Sequence, residues 1–182
     1  MKFESKQIKI LKTLKPFIVQ GESPVASGIK INEDGSLFFC NGVVAVFIDD
    51  FLEETNQDYF LGKKEITLLI EGYELDFSQV EFPAEYEEQC KGIHDFYDQM
   101  MQPEARTKVG RLSLNYKMVG LCEKLLGQDV VWKITNSAWL AHHGNYTFMI
   151  LPREIPEEIE YLMESTEIVE QENQEVVHGY GV

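Results

Sequence analysis

Basic residues are scarce in this chain of 182 residues: 16 lysines and arginines stand against 31 aspartates and glutamates, for a net charge of −15. A surface this acidic does not hold nucleic acid in general, so any such contact has to come from a local patch where the few cations gather. Cysteine is rare too. Cys40, Cys90 and Cys122 are an odd set with no CxxC spacing, which argues against a disulfide framework or a zinc ribbon and for buried free thiols in a reducing cytosol. Nothing approaches the roughly 18–20 apolar residues of a membrane span. The opening MKFESKQIKILK has no apolar signal core, so a soluble, cytoplasmic protein without membrane contact is expected. HExxH, a glycine-rich phosphate loop and GxSxG are all missing. With no constellation of catalytic groups among the many carboxylates, neither an enzyme nor a cofactor is expected.

What is present is enough apolar chain for a core: 44% hydrophobic against 26% charged residues reads as one globular domain. Met1–Glu4 is a short strand candidate. Ser5 then suits the cap of a helix running from Lys6 to Lys15, where Pro16 ends it. Ile8, Leu11 and Leu14 define its buried stripe, and Lys6, Lys9 and Lys12 fall on the opposite side, with Lys15 at the edge. Alone, such lysines are a solvated helix face; together they are also a row of ammonium groups set to meet phosphates. Ile29 and Ile31 alternate about Lys30, and Asp34-Gly35 and Asn41-Gly42 are tight-turn signals. With Leu37–Cys40 and Val43–Ile48 they give a three-stranded meander.

Between 50 and 108 the pattern changes. Ile66–Ile70 and Tyr73–Phe82 read as strands about Glu71-Gly72. Ala84–Met101 carries Tyr86, Cys90, Ile93, Tyr97 and Met100 at helical steps, a stripe for a core or an interface, and Pro103 closes it. His94 and Asp98 sit one turn apart, which suits a surface hydrogen bond better than a metal or catalytic pair.

The first pattern then recurs. Arg111–Leu114 alternates as a strand. Tyr116–Leu126 is a helix capped by Asn115, with Met118, Leu121, Cys122 and Leu125 inward, Lys117 and Lys124 on one line, and Gly127 just past its end. Val130–Thr135, Ala138–His142 and Tyr146–Leu151 are strands joined by turns at Asn136-Ser137 and Gly144-Asn145. His142 and His143 are neighbours on a strand and point to opposite faces, so they do not share a metal ion. After Arg153 come nine glutamates and no lysine or arginine; Pro156 suits the first turn of a helix there. Glu157, Glu158, Glu160, Glu164, Glu167, Glu170 and Glu172 are either a solvating tail or a stand-in for a phosphate backbone that meets a partner.

The two repeats resemble one domain of the bacterial DNA polymerase III β sliding clamp. MKFESKQIKILKTLKPF is similar to its opening strand and helix, GIKINEDGSLFFCNGVVAVFID to the meander, RLSLNYKMVGLCEKLLGQDVVWKI to the second strand, helix and strand, and GNYTFMILP to the closing strand. The resemblance implies an α+β, DNA-clamp-like fold of duplicated β-α-β-β-β units, with two helices packed on antiparallel sheet and an extra hairpin and helix inserted. Residues 1–153 would be one domain (unit one 1–49, insertion 50–108, unit two 109–153) and 154–182 an acidic extension.

In that family the two helices face the bore of a ring and their cations track the duplex backbone. The resemblance thus carries a nucleic-acid-binding role to Lys6, Lys9, Lys12, Lys117 and Lys124. A clamp subunit has two or three such domains in tandem, whereas this chain has room for one, so a ring takes about six copies, each interface costing orientation entropy. The implied partners are DNA, polymerase machinery and further copies of the chain. The acidity and single-domain size fit an alternative: a phage anti-CRISPR-type inhibitor that fills the nucleic-acid groove of a host enzyme such as Cas9.

Overall fold

The computed structural model describes residues 3–21, 23–102, 112–113, 116–127, 130–135, 138–151 and 153–154. They fall into two compact units, Met1–Val109 with Leu114–Pro152, and Gly110–Ser113 with Arg153–Val182.

The larger unit is built on a seven-stranded sheet. Four strands come from the first third of the chain: β1 (Gly28–Ile31), β2 (Leu37–Cys40), β3 (Val44–Ile48) and β4 (Tyr59–Gly62). The smaller unit contributes β5 (Leu112–Ser113), discussed below. The remaining three strands of the sheet are β6 (Trp132–Ile134), β7 (Trp139–His143) and β8 (Tyr146–Ile150). Their order is β4-β1-β2-β3-β8-β7-β6, and every pairing is antiparallel. Leaving β4 aside, that order is a palindrome: two three-stranded meanders joined back to back at β3 and β8. The join runs from Val44 opposite Ile150 to Ile48 opposite Tyr146. Reciprocal bonds close it at both ends: the Asp49 N–H donates to the Asn145 carbonyl at 2.8 Å, and the Leu151 N–H to the Val43 carbonyl at 2.8 Å.

Both faces of this sheet are covered. Side chains alternate along a strand, so Val44, Val46 and Ile48 enter one core with Phe148 and Ile150, while Ala45 and Met149 enter a second. The first core lies under three helices: α1 (Ser5–Leu14), α2 (Lys63–Ile70) and α4 (Tyr116–Leu126). The second lies under α3 (Tyr86–Met101), whose Tyr86 and Cys90 are buried, with Ile93, Tyr97 and Met100 packed beside them. This double cover explains LFFC in β2, where all four residues are buried.

Helix α1 starts one residue earlier than the Ser5 cap implies. Glu4 is the cap, its N–H donating to Gln7 Oε1 at 2.6 Å, and Ser5 is already helical. Gln7 also donates to the Phe51 carbonyl at 2.7 Å, which ties the helix to the loop after β3. Its buried residues are Ile10, Leu11 and Leu14; Ile8 is only half-buried. Phe3 and Glu4 form no strand, and Phe3 is a core residue against Phe51 and Phe77.

The stretch 59–82 departs most from the expected strands. Tyr59–Gly62 is the strand, pairing with β1 from Gly28–Gly62 to Ile31–Tyr59. Lys63–Ile70 is a helix: Ile66 and Leu69, three apart, are its buried residues, and Thr67 Oγ1 donates back to the Lys63 carbonyl at 2.7 Å. The β-branched residues Ile66, Thr67 and Ile70 argue for a strand locally, but burial on one helical side outweighs that preference. Tyr73–Phe82 is irregular apart from a 3₁₀ turn at Phe77–Gln79. Asp76 sets that turn by accepting from the Ser78 N–H at 3.1 Å and the Ser78 hydroxyl at 2.6 Å, an alternative to ladder bonding that breaks a strand.

The smaller unit has a two-stranded piece, β5 with β9 (Arg153–Glu154), antiparallel with Leu112 opposite Glu154. Arg111, Leu114, the Asn115 cap, Pro103, the Asn136-Ser137 turn, Pro156 and the seven tail glutamates from Glu157 to Glu172 lie outside the described residues.

Two turn glycines separate two kinds of constraint. Gly35 has φ +80° and a Cβ there would sit 2.2 Å from the Leu52 carbonyl oxygen, whereas Gly42 has φ +85° with open space around it. Gly42→Ala therefore meets only the left-handed backbone penalty, about 1 kcal/mol, while Gly35→Ala adds a backbone clash and loses about 3 kcal/mol. Urea midpoints of the two variants measure the difference; equal losses would contradict the contact at Leu52.

Candidate nucleic-acid interface

The lysines singled out in the sequence sit on one face of the sheet. On α1, Lys6, Lys9 and Lys12 are exposed, and the helix holds no acidic residue. On α4, Lys117 and Lys124 are exposed, with Glu123 between them in sequence. The two helices pack against each other, because Leu11 and Leu14 share one core with Met118, Leu121 and Cys122. Helix α2 flanks α1 on its other side and adds exposed Lys64 and half-buried Lys63, offset by Glu65. Seven lysines thus ride on three neighbouring helices, against two glutamates.

The opposite face has the reverse charge. Helix α3 exposes Glu87, Glu88, Asp95 and Asp98 and has one cation, Lys91. The sequence reading assigned acid to the tail and did not separate the two faces, because the insertion's position on the sheet is set by tertiary contacts.

A cation that sequence reasoning passed over anchors α3. Lys30 is only 6% exposed, and its Nζ lies 2.7 Å from Asp58 Oδ2 and 3.2 Å from Glu87 Oε1. It also sits over the rings of Phe82 and Tyr86, 5.6 and 5.8 Å from their centroids. Burial pulls its pKa down, but the Asp58 hydrogen bond and charge, with those of Glu87, outweigh this and hold it above the ordinary value. The signal was available: Lys30 stands between Ile29 and Ile31, so it must enter whatever covers the second face.

His94 makes no surface pair of the expected kind. Its ring packs on Phe38 at 4.9 Å and Phe47 at 5.0 Å. Burial, then the charge of Lys30, depress its pKa; Asp98, Asp95 and Glu87 oppose this without reversing it. His142 and His143 are exposed, and His142 Nδ1 is 2.9 Å from Thr147 Oγ1. No group of three His, Cys, Asp or Glu side chains that could hold a metal occurs among the described residues. All three cysteines are free and buried, and burial raises the thiol pKa of Cys90 to about 11 and of Cys122 to about 12. No helix among the described residues is long and apolar enough to cross a membrane.

The mixed architecture, with helices packed on an antiparallel sheet, is that of a DNA clamp. No protein-family model and no curated protein matches the chain. Among solved structures it is similar to the Helicobacter pylori β clamp bound to a DNA ligase peptide, at 13% identity and TM-score 0.50, over 85% of this chain and 65% of that one. It is also similar to DNA polymerase III subunit β from Borrelia burgdorferi (10% identity, TM-score 0.48, 82% and 63% of the two chains) and from Pseudomonas aeruginosa (11%, 0.48, 83% and 65%). The match therefore spans less than two thirds of each of those chains. At such identity the likeness is one of fold.

Two outcomes follow. Lys30→Ala removes the cation between Asp58 and Glu87 and loses about 2 kcal/mol, moderated because Asp58 still accepts from the Glu33 N–H and Glu87 stays largely in water, whereas Lys30→Met keeps the packing and loses less; urea denaturation ranks them. For His94, the folded pKa lies below the unfolded one. Its contribution is then present above the unfolded value of 6.5 and is lost as pH falls through the folded value. His94→Phe keeps the ring contacts and should flatten the acid limb of a urea-midpoint against pH curve; an unchanged limb would remove His94 from it.

Proposed function

We propose that this chain is a non-enzymatic, sliding-clamp-like nucleoprotein-interaction protein of a phage or other mobile element, acting as a DNA tether in the cytoplasm of a bacterial host. The observation that supports it best is the packing of α1 against α4 with Lys6, Lys9, Lys12, Lys117 and Lys124 all exposed. Lysines three apart on a helix step about 4.5 Å along its axis, and a duplex offers a phosphate charge about every 1.7 Å. Such a row needs no base sequence and suits a contact that slides. Residues 1–153 act as one clamp-like domain with 50–108 inserted and 154–182 as acidic extension. Strands β4 and β6 end the sheet, and copies meeting at those edges would extend it, with about six closing a ring at an orientation-entropy cost for each interface.

The acid face of α3 favours a second role. Glu87, Glu88, Asp95 and Asp98 present carboxylates as a phosphate backbone would, and the sequence of the acidic extension supplies a further set at Glu157, Glu158, Glu160, Glu164, Glu167, Glu170 and Glu172. The chain would then be an anti-CRISPR-type inhibitor that blocks nucleic-acid binding by a basic enzyme such as Cas9.

Charge reversal separates the two. If the chain is a tether, Lys9→Glu with Lys12→Glu reduces duplex affinity at least about tenfold and lowers the slope of log affinity against log salt by about two, while Glu88→Lys leaves binding intact. Fluorescence anisotropy with labelled duplex at several salt concentrations measures both. No duplex binding at low salt, together with capture of purified Cas9 that Glu88→Lys weakens, overturns the tether in favour of the inhibitor.

A further inference from the structure

A cleft of about 620 Å³ opens where β4 runs into α2. Phe60 and Gly62 of β4, Glu65 of α2, and Gln79, Glu81 and Phe82 of the irregular stretch line it, and its other lining residues are apolar. Glu65 is half-buried and Glu81 exposed, and among the described residues no ion pair or hydrogen bond engages either carboxylate. The Gln79 amide nitrogen donates to Asp76 Oδ2 at 3.0 Å; its oxygen has no partner among the described residues. The cleft thus presents two carboxylates and an amide oxygen beside the Phe60 and Phe82 rings. No lining residue is a cation, and Lys30, 5.6 Å from the Phe82 centroid, is held by Asp58 and Glu87.

Gly62 is there for room. Its φ of −72° is open to any residue, but a Cβ would lie 2.9 Å from Glu65 Oε2. A side chain at 62 would push that carboxylate away. The strand itself is the second element of the site. β4 has one neighbour in the sheet, β1, so its other edge keeps unpaired backbone donors and acceptors, to which an extended peptide adds as a further strand. A peptide laid there runs beside the cleft, because β4 supplies Phe60 and Gly62 to its wall.

Acceptors beside aromatic rings fit one side chain best. A guanidinium has five N–H donors, no acceptor, a permanent charge and a plane that stacks on rings; an ammonium has the charge without the plane. We infer that the β4 edge and this cleft are a docking site for an extended segment of a partner protein, with one arginine side chain seated among Glu65, Gln79 and Glu81. The site uses none of the α1 and α4 lysines and stands independently of the DNA-tether role. A copy of the chain meeting β4 edge to edge would exclude the segment.

The test uses the full chain, labelled with ¹⁵N, and a capped peptide, TVTRTVT. Binding shifts the Leu61 and Gly62 amide signals and saturates at about millimolar peptide or below. Alanine in place of the peptide's arginine weakens it at least about tenfold, and lysine about threefold. Glu65→Gln and Glu81→Gln each weaken it about fivefold, with melting temperatures within about 2 °C of the parent. Lys9→Glu with Lys12→Glu leaves peptide binding unchanged, so failure of the tether and failure of this site read differently. Unmoved Leu61 and Gly62 signals, equal binding of the alanine peptide, or full binding by folded Glu65→Gln and Glu81→Gln variants each overturns the assignment. So does methylguanidine matching the peptide's affinity, which would make this a small-molecule site, or a self-associated chain that ignores the peptide, which would give the edge to a second copy.

Discussion

The pairing of β3 with β8 is the constraint on which the rest of the molecule depends. Five residue pairs from Val44–Ile150 to Ile48–Tyr146 join two meanders that are far apart in the chain. A one-residue slip there would turn Val44, Val46 and Phe148 out of one core and Ala45 and Met149 out of the other. Register is therefore enforced from both sides at once. The same join brings α1 and α4 onto one face as neighbours, because each helix precedes the meander it covers. The two lysine-bearing helices are neighbours as a consequence of strand pairing; nothing local in the sequence puts Lys12 and Lys117 on the same face of the sheet.

The double cover of the sheet also explains the charge arrangement. A sheet with one wet face would place Lys30 in water beside other polar residues. Here the insertion lays α3 on that face, and Lys30 becomes a buried post between Asp58 and Glu87. The lysine helices and the acidic helix are then separated by the thickness of the sheet and the layers on it, with sheet-to-layer spacing of about 10 Å. At physiological salt the screening length is about 8 Å. A polyphosphate at α1 therefore responds chiefly to the local lysines, and the net charge of −15 acts mainly at longer range or lower salt.

Much of this was legible in the residues. The hairpins at Asp34-Gly35 and Asn41-Gly42, the β2 strand, the α4 helix and the core stripe of α3 all follow from alternation, helical spacing and turn chemistry, which are local. The stretch 59–82 was misread because its local signals conflict with its place. Ile66, Thr67 and Ile70 favour a strand, yet β4 already supplies the strand next to β1, and α2 buries Ile66 and Leu69 beside α1 instead. The arrangement of the candidate site was legible only in part. Periodicity puts Lys6, Lys9 and Lys12 on one helix side, but the closeness of α4 and the burial of Lys30 depend on contacts between distant segments.

Gly92 shows what such a structure adds to pattern reading. In the sequence it only weakens a helix. Exposed on α3, it stands apart from the glycines that the fold demands: Gly35 needs its positive φ and its close approach to Leu52, and Gly28 lies against the Leu61 carbonyl. Gly92, like Gly120 in α4, has neither need, since a Cβ there meets nothing within 4 Å, so at both positions only the helix preference of the backbone is at stake. The insertion then does more than shield a sheet face: it gives this clamp-like fold a second surface whose charge is opposite to that of the first.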